Sequence, residues 1–124
     1  MAWLYGYYSV DPNYQDGVRV NVEALYEPPQ EGAQEGYVEL EDPNRKNADR
    51  LAEKLTLERV GIIYTTLNKH KVFMTSEQLR NSAKLQEEHK VMHPCGQYVS
   101  KFVTVVVEQK ENGNPEVECY MASD

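Results

Sequence analysis

The sequence predicts an α+β domain, a mostly antiparallel mixed sheet flanked by helices. Three observations predict it. Val18, Val20, Val22, Ala24 and Tyr26 alternate with Arg19, Asn21, Glu23 and Leu25, the period of a strand. Ala48, Leu51, Ala52 and Leu55 fall at i, i+3, i+4 and i+7, a single helical stripe. Asn112-Gly113-Asn114-Pro115 separates two apolar runs and marks a hairpin turn. The predicted order is β-β-α-β-β-α-β-β.

Trp3 to Tyr8 is aromatic and apolar, a first strand. Asp11-Pro12-Asn13 and Asp16-Gly17 form the turn into the alternating strand. Pro28-Pro29 ends that strand, because proline donates nothing to a ladder and fixes φ. Gln30 to Gly36 is acidic and Gly-containing and reads as a mobile surface loop, part of an acidic stretch from Glu27 to Glu41 that serves as solvated loop or as a flap beside a groove. Asp42-Pro43 opens the first helix. Arg59 leads into a second apolar strand at Val60.

Asn68 to Lys71 reads as a basic turn and Val72-Phe73-Met74 as a short strand. Thr75 starts a second helix that runs to about Lys90, with Thr75 and Gln78 spaced for a capping box. His93-Pro94-Cys95-Gly96 is a turn. Phe102 to Val107 is the most apolar strand, and Val117 to Met121 pairs back onto it.

At 124 residues the chain is long enough for one domain with a core. Its net charge of −7 opposes binding to nucleic acid or to an anionic membrane. No apolar run is long enough to span a bilayer, and Met1 to Gly6 lacks the basic start and long apolar stretch of a secretory signal. Two cysteines, Cys95 and Cys119, are too few for a disulfide scaffold, so reduced thiols in the cytosol or nucleus are the expectation. The nine tyrosines serve cores and contact surfaces alike and decide nothing alone.

The stretch Val60-Gly61-Ile62-Ile63-Tyr64-Thr65-Thr66-Leu67 is uncharged and mostly β-branched, a buried strand. It is similar to the metal-site strand of MPN (JAMM) metallo-isopeptidases, which runs Val-Gly-aromatic-Tyr-His-Ser-His-Pro. The two histidine positions here hold Tyr64 and Thr66. The serine-x-x-aspartate that follows in those enzymes aligns with Thr75-Ser76-Glu77-Gln78, so the aspartate position holds Gln78. The general-base glutamate would fall just before Trp3. A phenol, a hydroxyl and an amide are poor zinc ligands beside imidazole and carboxylate, so no metal and no hydrolysis are expected. Simple strand packing for Tyr64 and Thr66, and helix capping for Thr75 and Gln78, account for these residues without any contact role.

Further strings extend the likeness along the chain. Leu4-Tyr5-Gly6, Gly17-Val18-Arg19, Ala24-Leu25-Tyr26-Glu27-Pro28-Pro29-Gln30, Leu40-Glu41-Asp42-Pro43 and Ser100-Lys101-Phe102-Val103-Thr104 occur in that order. Together they resemble the nuclear protein localisation protein four family, across essentially all residues, in the part that is its MPN domain. The resemblance implies one catalytically inactive MPN domain over residues 1–124, an N-terminally truncated fragment of a larger protein. It implies a substrate-recruiting adaptor of a ring-shaped AAA unfoldase, the valosin-containing protein, working with ubiquitin fusion degradation protein one. Polyubiquitinated proteins, including those of ER-associated degradation, would be its substrates, and a groove would hold an unfolded ubiquitin segment. The implied location is cytoplasm and nucleus, peripheral at the ER and nuclear envelope. No Cys-x-x-Cys pair occurs, so the family's zinc modules, which sit on the ATPase, are not in this stretch.

The remaining candidates are weaker. His89 and His93, four apart and near Cys95, read as a surface pair, because Pro94 disfavours helix at His93. His70 between Lys69 and Lys71 reads as an exposed turn residue, and its neighbours disfavour a cation. Neither Cys95 nor Cys119 has a readable triad context. No cofactor is expected, and the partner-binding residues are not legible. Two other readings stand beside the adaptor: a metallo-isopeptidase with displaced zinc ligands, and a purely structural heterodimer platform.

Overall fold

A computed structural model describes residues 1–33, 36–66, 74–92, 94 and 96–123. It is an α+β structure whose chain divides into two compact units, Met1–Ile63 and Tyr64–Asp124.

The first unit holds β1 (Ala2–Val10), β2 (Val18–Tyr26), the hairpin β3 (Gln30–Ala33) and β4 (Gly36–Glu39), helix α1 (Arg45–Lys54) and the start of β5 (Glu58–Thr66). β1 is central, pairing antiparallel with β2 on one side and β5 on the other. The predicted turn is closed by Asp11 N–H donating to the Gly17 carbonyl at 2.9 Å, and the Asp11 carboxylate accepts from Asn13 N–H at 2.9 Å. Asp16 takes the left-handed conformation, φ 57°, which aspartate tolerates better than most side chains. Both ladders of β1 are bulged, one between Leu4 and Tyr5 and the other between Tyr5 and Gly6. Trp3, Leu4 and Tyr5 are successive and all buried, so β1 is covered on both faces.

One expectation needs correction here, and two apolar patterns are less buried than their spacing allows. Gln30 to Gly36 is not a plain loop: β3 and β4 pair antiparallel, Gln30 opposite Glu39. The Gln30 amide nitrogen pins the start of this hairpin by donating to the Met1 and Pro28 carbonyls at 2.7 and 3.0 Å. The alternation of β2 does not translate into a buried face, since Val18 and Val22 are 50% and 46% exposed on this outermost strand. The apolar stripe of α1 is only half used: Ala52 is buried, yet Leu51 and Leu55 face outward. A polar contact decides this orientation, because the helix turns Asp49 toward Tyr5 and Arg59 instead.

The second unit contains the end of β5, helix α2 (Ser76–Glu88), the small hairpin β6 (Val91–Met92) and β7 (Tyr98–Val99), and the hairpin β8 (Val103–Gln109) and β9 (Pro115–Tyr120). The predicted order lacked the β3–β4 and β6–β7 hairpins. The predicted basic turn at 68–71 and most of the strand at 72–74 lie outside the described residues. The β8–β9 turn matches its sequence signal. Gly113 has φ 83°, and Lys110 N–H donates to the Asn114 carbonyl at 2.8 Å. Pro115 stands first in β9, where its missing N–H costs least.

α2 and β8 share a small core. Phe102 is fully buried, which contributes about 2–3 kcal/mol. The buried hydroxyls of Ser82 and Thr104 satisfy one another at 2.8 Å, removing a desolvation cost that either alone would carry. Gln86 clamps the segment after β9, accepting from Ala122 N–H at 2.6 Å and donating to the Ala122 carbonyl at 3.1 Å.

Candidate functional site

β5 carries Tyr64 and Thr66 two residues apart, hence on the same face of the strand. Tyr64 is 7% exposed, and Thr66 is half-buried at the strand end. A phenol buried at this point is a poor zinc ligand beside imidazole. Gln78 stands in the first turn of α2 with its side chain already engaged. Its Oε1 accepts from Thr75 N–H at 2.9 Å while Thr75 Oγ1 accepts from Gln78 N–H at 3.2 Å, a reciprocal capping box. The capping expectation is thereby met in full. The acceptor atom that would stand in for the missing carboxylate is held by the helix end.

This donor set does not fit zinc. A buried phenol, a threonine hydroxyl and an amide oxygen in use offer neither imidazole nor carboxylate. Among the described residues there is no group of three or more His, Cys, Asp or Glu that could hold a metal ion.

The histidine expectation changes. His89 caps the C-terminus of α2, is half-buried, and stacks on Phe102 with centroids 4.2 Å apart at 26°. Its Nδ1 lies 2.8 Å from the Leu85 carbonyl. A carbonyl only accepts, so Nδ1 carries the proton. His89 therefore serves packing and the helix end, where the sequence reading placed it in a surface pair. His70, His93 and Cys95 lie outside the described residues. Cys119 is exposed on β9 as a free thiol.

The densest polar cluster in the first unit was not foreseen. Arg59 donates from Nη2 to both oxygens of Asp49, at 2.7 and 3.0 Å, and Tyr5 donates its hydroxyl to the same Oδ1 at 2.7 Å. The Arg59 guanidinium also lies 4.5 Å from the Trp3 ring centroid, with Arg45 5.1 Å from it. Burial pushes the Asp49 carboxyl up, but the Tyr5 hydroxyl and the Arg59 charge outweigh it and hold the group below the usual carboxylate value. Burial, then the Asp49 hydrogen bond, pushes the Tyr5 phenol up. The only sequence signal was the helical spacing that leaves Asp49 beside Ala48 and Ala52. Nothing local pairs it with Arg59.

What the first unit offers a partner is an edge. β2 pairs with β1 on one side and lies outermost in the order β2-β1-β5. It also shows apolar side chains, with Leu25 63% exposed. Such an edge can accept an extended segment by main-chain hydrogen bonds.

A model of the NPL4 family matches residues 1–124. The nuclear protein localization protein 4 homolog of Homo sapiens is 34% identical over 140 residues, covering 99% of this chain and 23% of that protein. Homolog 1 of Caenorhabditis elegans is 33% identical, covering 100% and 27%. The Schizosaccharomyces pombe protein is 32% identical, covering 100% and 25%. The chain thus spans about a quarter of the length of these curated relatives.

Proposed function

Because the chain belongs to the NPL4 family, we propose that it is a non-catalytic, ubiquitin-binding MPN-type module of a substrate-recruiting adaptor. In this reading the parent protein acts with ubiquitin fusion degradation protein one. It delivers polyubiquitinated proteins to an AAA unfoldase for proteasomal and ER-associated degradation. ATPase docking belongs to parts of the parent outside this stretch. The work takes place in cytoplasm and nucleus, peripheral at the ER and nuclear envelope. No helix among the described residues is long and apolar enough to cross a membrane.

The observations that support binding over catalysis are the engagement of Gln78 in the α2 cap and the presence of Tyr64 and Thr66, in place of histidines, on β5. A metallo-isopeptidase needs a site that holds zinc and lowers the pKa of its bound water, together with a general base. The mode we favour is addition of an extended, unfolded ubiquitin stretch to a sheet edge, for which β2 is suited. Main-chain pairing gives affinity with little demand on sequence.

The purified chain, dialysed against zinc, is assayed for bound metal by atomic absorption and for cleavage of diubiquitin. The reading expects neither stoichiometric zinc nor cleavage. Both together would establish the enzyme instead.

A further inference from the structure

We propose that the open edge of β9 is a docking site for an extended, basic protein segment in which Lys or Arg alternates with apolar residues, a contact separate from the β2 edge. β9 stands last in the strand order, and among the described residues only β8 pairs with it. Lys110 N–H donates to the Asn114 carbonyl at 2.8 Å, so these two residues form a bonded pair that continues the β8–β9 register. Bonded pairs alternate along an antiparallel ladder. The register then makes Glu108–Glu116, Val106–Glu118 and Thr104–Tyr120 the further bonded pairs. Val117 and Cys119 consequently turn their N–H and C=O groups away from β8. Pro115 shares their parity, so its missing donor is lost only on the open side.

This edge carries two unlike faces. Val117 and Cys119 project on one side, opposite Val107 and Val105. Val117 is 64% exposed, and Cys119 is exposed as well. Glu116 and Glu118 project on the other side, where Glu116 stands directly opposite Glu108. Like charges so placed destabilise a ladder. Lys110 offsets part of this, with its Nζ 3.0 Å from Glu116. Glu118 has no cation partner among the described residues and accepts from the Tyr120 hydroxyl. Burial, then the Glu118 hydrogen bond and the charges of Glu118, Glu108 and Glu116, push the Tyr120 phenol up. The three carboxylates thus act on one spot, on one face of the open strand.

Charge and period together select the occupant. An added strand sends successive side chains to opposite faces. Alternating cationic and apolar residues would therefore meet the carboxylates on one side and Val117 and Cys119 on the other, while the main chain pairs with the open N–H and C=O groups. A second copy of the chain does not fit. Two β9 edges paired antiparallel would set Glu116 and Glu118 of one copy beside those of the other, between chains of net charge −7 each. The same carboxylates repel nucleic acid and an anionic membrane.

The test uses the 124-residue chain. The probe is a fluorescently labelled peptide of alternating lysine and valine. One control replaces its lysines with glutamates. The other is N-methylated throughout, which keeps the charge and removes every main-chain donor. The first variant combines Glu116→Gln and Glu118→Gln, which removes charge and keeps side-chain size. The second is Val117→Pro, which removes an open-edge donor and leaves the bonds to β8 in place. Unchanged circular dichroism verifies folding.

The alternating peptide is expected to bind the parent chain, and to bind each variant about tenfold more weakly. Neither control peptide is expected to bind. Absence of binding by the alternating peptide, equal binding of either control, or binding undiminished in the glutamine variant or in a folded Val117→Pro would each overturn the proposal. Should Val117→Pro fail to fold, the N-methylated peptide and the glutamine variant decide the matter. None of these outcomes bears on the ubiquitin reading, because that reading rests on Tyr64, Thr66, Gln78 and β2.

Discussion

Arg59 grips Asp49 through both carboxylate oxygens, at 2.7 and 3.0 Å, while its guanidinium lies 4.5 Å from the Trp3 ring centroid. One side chain thus fastens α1 to β5 and roofs β1. It is well shielded, with 13% of the side chain exposed against 47% for Asp49. That asymmetry matters. The aspartate alone would be a weak surface partner, whereas the arginine is held over an aromatic ring where its stem and face both pack.

Replacing Arg59 with alanine is expected to cost about 2 kcal/mol, from lost stacking and lost charge-assisted hydrogen bonds. Arg59→Lys is expected to recover less than half of this, because an ammonium lacks the flat guanidinium face that lies over Trp3. Urea midpoints of the three proteins measure the effect. Full recovery by lysine would mean that charge alone matters.

Gly6 tolerates no side chain. A Cβ built there would lie 1.7 Å from the Asn21 carbonyl oxygen, which belongs to the backbone and cannot swing away. Gly6→Ala is expected to cost about 3 kcal/mol or more and to disturb the β1–β2 ladder at its bulge. Hydrogen exchange at β2 amides reads the local effect. A loss below about 1 kcal/mol would show that the bulge is easily reshaped.

The α2 cap is separable from any chemistry. Thr75→Ala is expected to lose about 1 kcal/mol and Thr75→Ser almost nothing, since serine keeps the accepting hydroxyl. Thermal denaturation distinguishes them. Equal losses for both would assign the threonine methyl, not the cap.

Tyr8 gives the fold an alkaline limit. Burial first, and then the Glu58 charge, pushes its phenol from 10.0 up to about 12. The folded value lies above the unfolded one, so the stabilising contribution is full below pH 10.0 and is lost as pH rises toward about 12. Tyr8→Phe removes this ionisation. The stability difference between wild type and Tyr8→Phe is expected to fall across that window, as read by denaturation at a series of alkaline pH values. A constant difference would contradict the shift.

Local signals carried far in this sequence, and non-local ones did not. Thr75 and Gln78 announce a cap because both partners lie within one turn. Asn112 to Pro115 announces a hairpin because turn chemistry needs only adjacent residues. Which part of the α1 stripe is buried was not legible in its spacing: Ala52 is covered while Leu51 and Leu55 stand exposed. The winning contact joins Asp49 to Tyr5, forty-four residues away, and no window of sequence contains both. The β3–β4 hairpin was missed for a related reason: its acidic, glycine-bearing residues have low strand propensity, and its anchor is Gln30 reaching back to Met1. At the degenerate metal positions, the substitutions Tyr64, Thr66 and Gln78 were legible at once. The structure added that Tyr64 is buried and that the Gln78 oxygen is already taken.

The central claim is binding of ubiquitin without catalysis. Calorimetric titration of the 124-residue chain, with zinc chelated, against folded ubiquitin chains and against a ubiquitin variant destabilised to unfold tests it most directly. The account predicts saturable binding of the unfolded form without zinc. Binding of neither form, by a chain that still binds a peptide of ubiquitin fusion degradation protein one, would contradict it and leave a structural platform in its place.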